Sequence, residues 1–197
     1  MVLSINQVNW PNQYPEAPTT TAEVKRVVMP NGKEEGIEIS YSVHGRQLRA
    51  LATNDMEPVW EDSCVEFFCQ VPGDEHYMNF EANCIGSMVA ARRLSRKEDV
   101  RRLLPEQMNM MVRKCSLPHE RVEERDGVFD WSVQLIIPLG LIFADTRVPR
   151  RGEPFALRAN FYKCGDKTRY PHFLSWQPIM LPKPDFHCPQ FFGTITL

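Results

Sequence analysis

Two neighbouring stretches, CVEFFCQV at residues 64–71 and YMNFEANC at residues 77–84, decide the fold class. In the first, Val65, Phe67, Cys69 and Val71 fall on one side, and Cys64, Glu66, Phe68 and Gln70 on the other. In the second, Met78, Phe80, Ala82 and Cys84 oppose Tyr77, Asn79, Glu81 and Asn83. A period of two is the signature of a β-strand with one face in a core. Each stretch therefore predicts a strand with one apolar face and one face that carries carboxylates and amides.

The pattern recurs outward in both directions. Gly36–Val43 aligns Ile37, Ile39, Tyr41 and Val43, and His44-Gly45-Arg46 reads as a turn into a further strand, Gln47–Thr53. Val128–Ile137 aligns Trp131, Val133, Leu135 and Ile137. Pro154–Cys164 aligns Leu157, Ala159 and Phe161 against Arg158, Asn160 and Tyr162, and Phe191–Leu197 closes the chain. Residues 9–22, with three prolines and many Thr and Asn, read as part of an irregular N-terminal arm over residues 1–22. One helix is expected near Arg96–Leu104, because Ser95-Arg-Lys-Glu98 is a capping box in which two side chains satisfy each other's free backbone donors. Pro138–Phe143 suits one more helical turn. Many short strands with little helix predict an all-β chain: an antiparallel β-sandwich with jelly-roll character and one short helix, as a single domain over residues 1–197.

Composition narrows the function. Hydrophobic residues make up 43% and charged residues 24% of the 197, which suits a globular core. The formal charge of -2 offers no basic field for a phosphate backbone, so nucleic acid is not expected as a partner. No run of eighteen apolar residues exists, so no membrane span is expected. Met1–Trp10 lacks the basic and apolar regions of a signal peptide, which predicts a cytoplasmic location unless a leader has been removed. None of the six cysteines forms a C-x-x-C pair or a zinc spacing, so they read as free thiols in a reducing compartment.

The polar strand faces are the chemically informative part. If the strands are neighbours, Glu66, Asn79, Glu81, Asn83, Arg158 and Asn160 form one surface of acceptors and donors. Sugar hydroxyls both donate and accept, and such a surface can read them. Alternating polar residues more often form a solvated outer face, rich in Lys, Thr and Glu. Trp60, in a turn-like approach to the Glu66 strand, and Trp176, in a loop bounded by prolines, add two indoles able to stack on a sugar ring. Trp131 continues an apolar face and reads as core.

Several motifs in order resemble carbohydrate-binding module family 9, the xylanase-associated modules. They are WEDSCVEFF at 60–68, NFEANCIG at 79–86, WSVQLIIP at 131–138, and Ser175-Trp176 followed by FGTI at 192–195. The resemblance covers about residues 35–197. It implies a β-sandwich in which Trp60 and Trp176 clasp a sugar ring while Glu66 bonds its hydroxyls. The third motif carries Gln134 where the family usually has an acid. Family members often carry structural calcium, and no acidic loop in this sequence specifies such a site. The expected role is mono- or oligosaccharide binding without catalysis and without a cofactor. Two alternatives belong to other classes. Glu66 and Glu81 could serve as the carboxylate pair of a glycoside hydrolase. The nine methionines and five histidines could ligate haem in a DOMON-type sandwich.

Overall fold

The computed structural model describes residues 1–197 as two packed antiparallel sheets. With strands numbered along the chain, one sheet runs in the order β1 (Val2–Ser4), β3 (Thr19–Val28), β4 (Glu35–Ala50), β10 (Val122–Pro138) and β9 (Val112–Cys115). The other runs β2 (Gln7–Val8), β12 (Phe173–Ser175), β11 (Ala156–Cys164), β5 (Cys64–Gln70), β6 (Tyr77–Asn83), β7 (Met88–Arg93) and β8 (Arg101–Arg102). β13 (Gly193–Thr196) also pairs with β11. Two single-turn helices, α1 (Pro105–Met108) and α2 (Leu139–Ile142), complete the regular structure.

The inward faces are the apolar ones. Val24, Ile37, Ile39, Tyr41, Trp131, Val133, Leu135 and Ile137 from the first sheet meet Val65, Phe67, Phe80, Ala82, Leu157, Ala159 and Phe161 from the second in one continuous core. Alternation places every second residue there, and desolvation of these side chains is the main force that holds the sheets together. Met108 and Met111 are buried in the same core, which accounts for them as gap-filling side chains.

Three sequence expectations need correction. The N-terminal arm is not irregular throughout: β1 and β2 lie within it, and β3 begins at Thr19 and continues to Val28. The expected turn at His44–Arg46 is absent, because β4 runs unbroken from Glu35 to Ala50. Gly45 serves close packing instead: a Cβ there would lie 2.9 Å from Pro18 Cβ. The helix expected at Arg96–Leu104 does not form. The Ser95–Glu98 contacts are made, with Glu98 N donating to Ser95 Oγ at 3.2 Å. Asp99 then takes a left-handed backbone, φ 45°, with its carboxylate held by Arg101 and His76. The chain reverses, and Arg101–Arg102 pair with β7. A left-handed residue ends a helix before its second turn. The helical turn at Pro138–Phe143 is present as α2.

Candidate functional site

Register brings the polar strand faces together. β11, β5 and β6 are adjacent, with Tyr162 opposite Glu66 and Glu66 opposite Glu81. One step along, Asn160 lies opposite Phe68 and Phe68 opposite Asn79. This outer face is not solvated. Segments from the N-terminus and from residues 179–192 fold over it and build a second apolar cluster, in which Trp10, Ile179, Phe186, Cys188 and Phe192 pack on Phe68, Tyr77 and Tyr162. Tyr162 stacks on Phe186 with centroids 4.1 Å apart. The cover leaves Glu66 and Glu81 each only 3% exposed, and Asn79, Asn83 and Asn160 fully buried.

One opening remains in the cover, a cavity of about 280 Å³. Trp60, on the 3-10 turn Val59–Glu61, forms part of its wall. Glu66 and Glu81 stand on its floor, with Asp166 beside them from the turn after β11. Phe173, Phe186 and His187 supply aromatic surface. Arg93, Arg96, Lys97 and Arg102 form the remaining wall, with Asp185 nearby.

Electrostatics on the floor follow from burial. Desolvation, and then the charge of Glu81, push the Glu66 carboxyl well above the usual carboxylate range, while the Cys164 thiol donating to its Oε1 at 3.0 Å opposes the shift. Burial also raises Glu81, to about 7, against the opposing charge of Arg93 and the hydrogen bond from Asn79. Asp166 is raised by burial to about 6, opposed by Arg96. His187 is pushed down to about 3 by burial and by Arg93 and Arg96; its Nδ1 lies 2.9 Å from the Tyr77 hydroxyl. The floor thus offers Glu66, shifted towards its protonated form, beside Glu81 near its midpoint at neutral pH, a mostly ionised Asp166 and a neutral imidazole.

The residues singled out in the sequence divide into three groups. Trp60, Glu66 and Glu81 line the cavity. Asn79 stands behind it and links two lining residues: its Nδ2 donates to Glu81 Oε1 at 2.9 Å, and its Oδ1 accepts from Arg93 Nε at 2.6 Å. The others hold scaffold. Asn83 donates to Ala52 O and to the buried Asp62 carboxylate, which also accepts from the Leu51 and Ala52 amides. Asn160 Oδ1 accepts from the Gln177 amide, and its Nδ2 donates to the Gln177 carbonyl. Arg158 donates to Gln70 Oε1 and Pro189 O.

Trp176 is placed away from Trp60. It shares the parity of Leu174, packs against the core between the sheets, and meets Phe161 edge-on with centroids 5.8 Å apart. A clasp of both indoles is therefore not built at this cavity. The basic wall was missed in the sequence. A signal was present: Arg92, Arg93, Arg96, Lys97, Arg101 and Arg102 crowd into eleven positions of a chain whose net charge is -2. Glu66 and Glu81 stand opposite each other on neighbouring strands and both face the cavity.

Comparison with known proteins agrees with this architecture. The family model described as Carbohydrate-binding family 9 matches residues 1–197. A crystal structure of a proposed carbohydrate-binding protein from Bacteroides uniformis ATCC 8492 is 37% identical, with a TM-score of 0.89, over 100% of this chain and 85% of that one. A family 9 carbohydrate-binding module from Caldicellulosiruptor kristjanssonii, in complex with glucose, superposes with a TM-score of 0.54 at 10% identity, over 98% of this chain and 81% of that one; that likeness concerns the fold. No curated protein matches the chain.

Proposed function

We propose, from the premise that the chain belongs to carbohydrate-binding family 9, that its saccharide site is the cavity at Trp60, Glu66 and Glu81. The observation that carries the reading is a half-buried indole beside a floor of three carboxyl groups, in an opening of the size for a small ligand. An indole face stacks on the apolar C–H face of a sugar ring. The carboxyl groups take the hydroxyls around the ring; the upward shift of Glu66 favours a carboxyl that can donate as well as accept. Arg93, oriented through Asn79, donates from the far side. Phe173 and Phe186 take the place of a second indole as apolar walls.

Nothing in this arrangement calls for a reacting group, and the site works as a binding site. A glycan array followed by calorimetry tests it. The reading expects at least one saccharide to bind, and Trp60→Ala to weaken that binding by about 5- to 150-fold, the range that corresponds to an aromatic stacking contact of about 1–3 kcal/mol. Unchanged affinity in Trp60→Ala would overturn it.

A further inference from the structure

The cavity is divided by charge. Glu66, Glu81 and Asp166 lie on one side, and Arg93, Arg96, Lys97 and Arg102 on the other. No direct ion pair joins the two sides, although the charges of Arg93 and Arg96 reach Glu81 and Asp166. The only ion pair among the lining residues joins Arg96 Nη1 to Asp185 Oδ1 at 3.5 Å. Lys97 and Arg102 have no protein partner. Arg93 uses Nε on Asn79 and Nη1 on the Arg96 carbonyl, and its Nη2 has no protein acceptor.

Their sequence neighbours behave differently. Arg92 and Arg101, cross-strand partners on β7 and β8, carry their charges away from the cavity. Arg92 pairs with Asp74 at 2.8 Å and Asp145 at 2.9 Å, and Arg101 with Asp99 at 2.6 Å. The strand ends thus supply carboxylates to the cations that point away and none to those that face the opening. Guanidinium groups recognise carboxylates and tetrahedral oxyanions through paired N–H donors. From this juxtaposition, and resting on the saccharide reading above, we propose that the natural ligand is an anionic saccharide, whose hydroxyls meet the carboxyl floor while its carboxylate or sulfate meets Arg93, Lys97 and Arg102.

The test is calorimetry on the full chain with matched sugars: a neutral oligosaccharide, its uronic acid counterpart and its sulfate ester. The acidic member is expected to bind about tenfold or more tightly than the neutral one, through charge-assisted hydrogen bonds. Whether the uronate or the ester shows the advantage identifies the anion. The advantage shrinks as ionic strength rises from about 0.01 M to about 0.15 M, where the screening length falls from about 30 Å to about 8 Å. In the double variant Lys97→Gln, Arg102→Gln the preference for the acidic sugar falls severalfold. Lys114→Gln, which removes an exposed charge on β9 of the other sheet, leaves the preference intact. Equal affinity for neutral and acidic sugars overturns the inference and leaves the saccharide site standing. Inorganic sulfate that binds as tightly as the acidic sugar also overturns it. Failure of every saccharide to bind overturns both.

Discussion

Both faces of the larger sheet are covered, and they are differently made. On the inner face, Val65, Phe67, Phe80 and Phe161 meet another sheet, and Phe67 stacks on Phe161 with centroids 5.0 Å apart. Two charged residues interrupt it: Lys163, whose amine is buried against the Cys164 carbonyl, His172 and the Trp131 ring, and Arg92 near the sheet edge, paired with Asp74 and Asp145. On the outer face, Glu66, Asn79, Glu81, Asn83 and Asn160 are covered by loops. A sheet covers with apolar side chains at a regular spacing and closes completely. Loops cover with irregular backbone, so buried polar groups must find partners one at a time, and any unfilled place remains as a cavity. The inner face supplies stability, while the outer face trades some of it for a site.

The largest effect should come from the inner face. Phe67→Ala removes a fully buried ring and is expected to cost about 3–5 kcal/mol, read from the denaturation midpoint at constant slope. A loss near 1 kcal/mol would break the comparison by showing that the inner layer is not the main source of stability. On the outer face, Asn83→Ala leaves the Ser87 amide and the Ala52 carbonyl without their partner. It should cost about 1–3 kcal/mol, with sugar affinity kept, since Asn83 does not reach the cavity. A variant that melts like the parent but no longer binds would move Asn83 from scaffold to site.

The tryptophans sharpen the contrast further. Trp60→Ala should act mainly on affinity, and Trp176→Ala, at the edge of the inter-sheet core, mainly on the melting temperature. Equal losses of affinity in the two would restore the two-indole clasp. The smallest effect concerns pH. Glu81 holds its proton up to about 7 in the folded chain, against an ordinary 4.5, so between these values the folded state binds more protons than the unfolded one. Stability contributed in this way is complete below about pH 4.5 and is lost as pH rises towards about 7. Asp166, raised from 3.8 to about 6, works in the same direction over a lower window. Asp99 and Glu153, held near 2 by Arg101 and Arg147, act only in more acidic solution. His187, lowered to about 3, and His172, also lowered by burial, work in the opposite direction up to about pH 6.5, so the expected outcome is a difference: relative to Glu81→Gln, the parent loses melting temperature from about pH 5 to about pH 7.5. An unchanged slope in that variant would show that the floor does not titrate in this range.

Alternation at residues 64–71, 77–84 and 156–164 made the sandwich class, the inner face and the membership of Glu66, Glu81 and Asn79 in one surface readable from the chain alone. The reason is local: a strand sends successive side chains to opposite sides whatever surrounds it. Local signals also misled. The capping contacts at Ser95–Glu98 exist without a helix, because hydrogen bonds with His76 and Arg101 hold Asp99 in a left-handed conformation. His44-Gly45-Arg46 looks like a turn, yet it lies within a strand that β10 pairs along most of its length.

What the sequence could not contain was the depth of the outer face. Glu66 is desolvated by residues far along the chain, Tyr162 and Cys164 (98 positions away), beneath a cover that includes Phe186. Only that cover turns an ordinary polar strand face into a floor of raised carboxyls, and only the return of Arg101–Arg102 onto β7 completes a basic wall beside it. The sequence by itself determined which side chains share a face, because that is geometry along one strand. The tertiary structure decided which of them stay dry, which find partners and which are left free for a ligand, because burial and pairing depend on what distant segments bring.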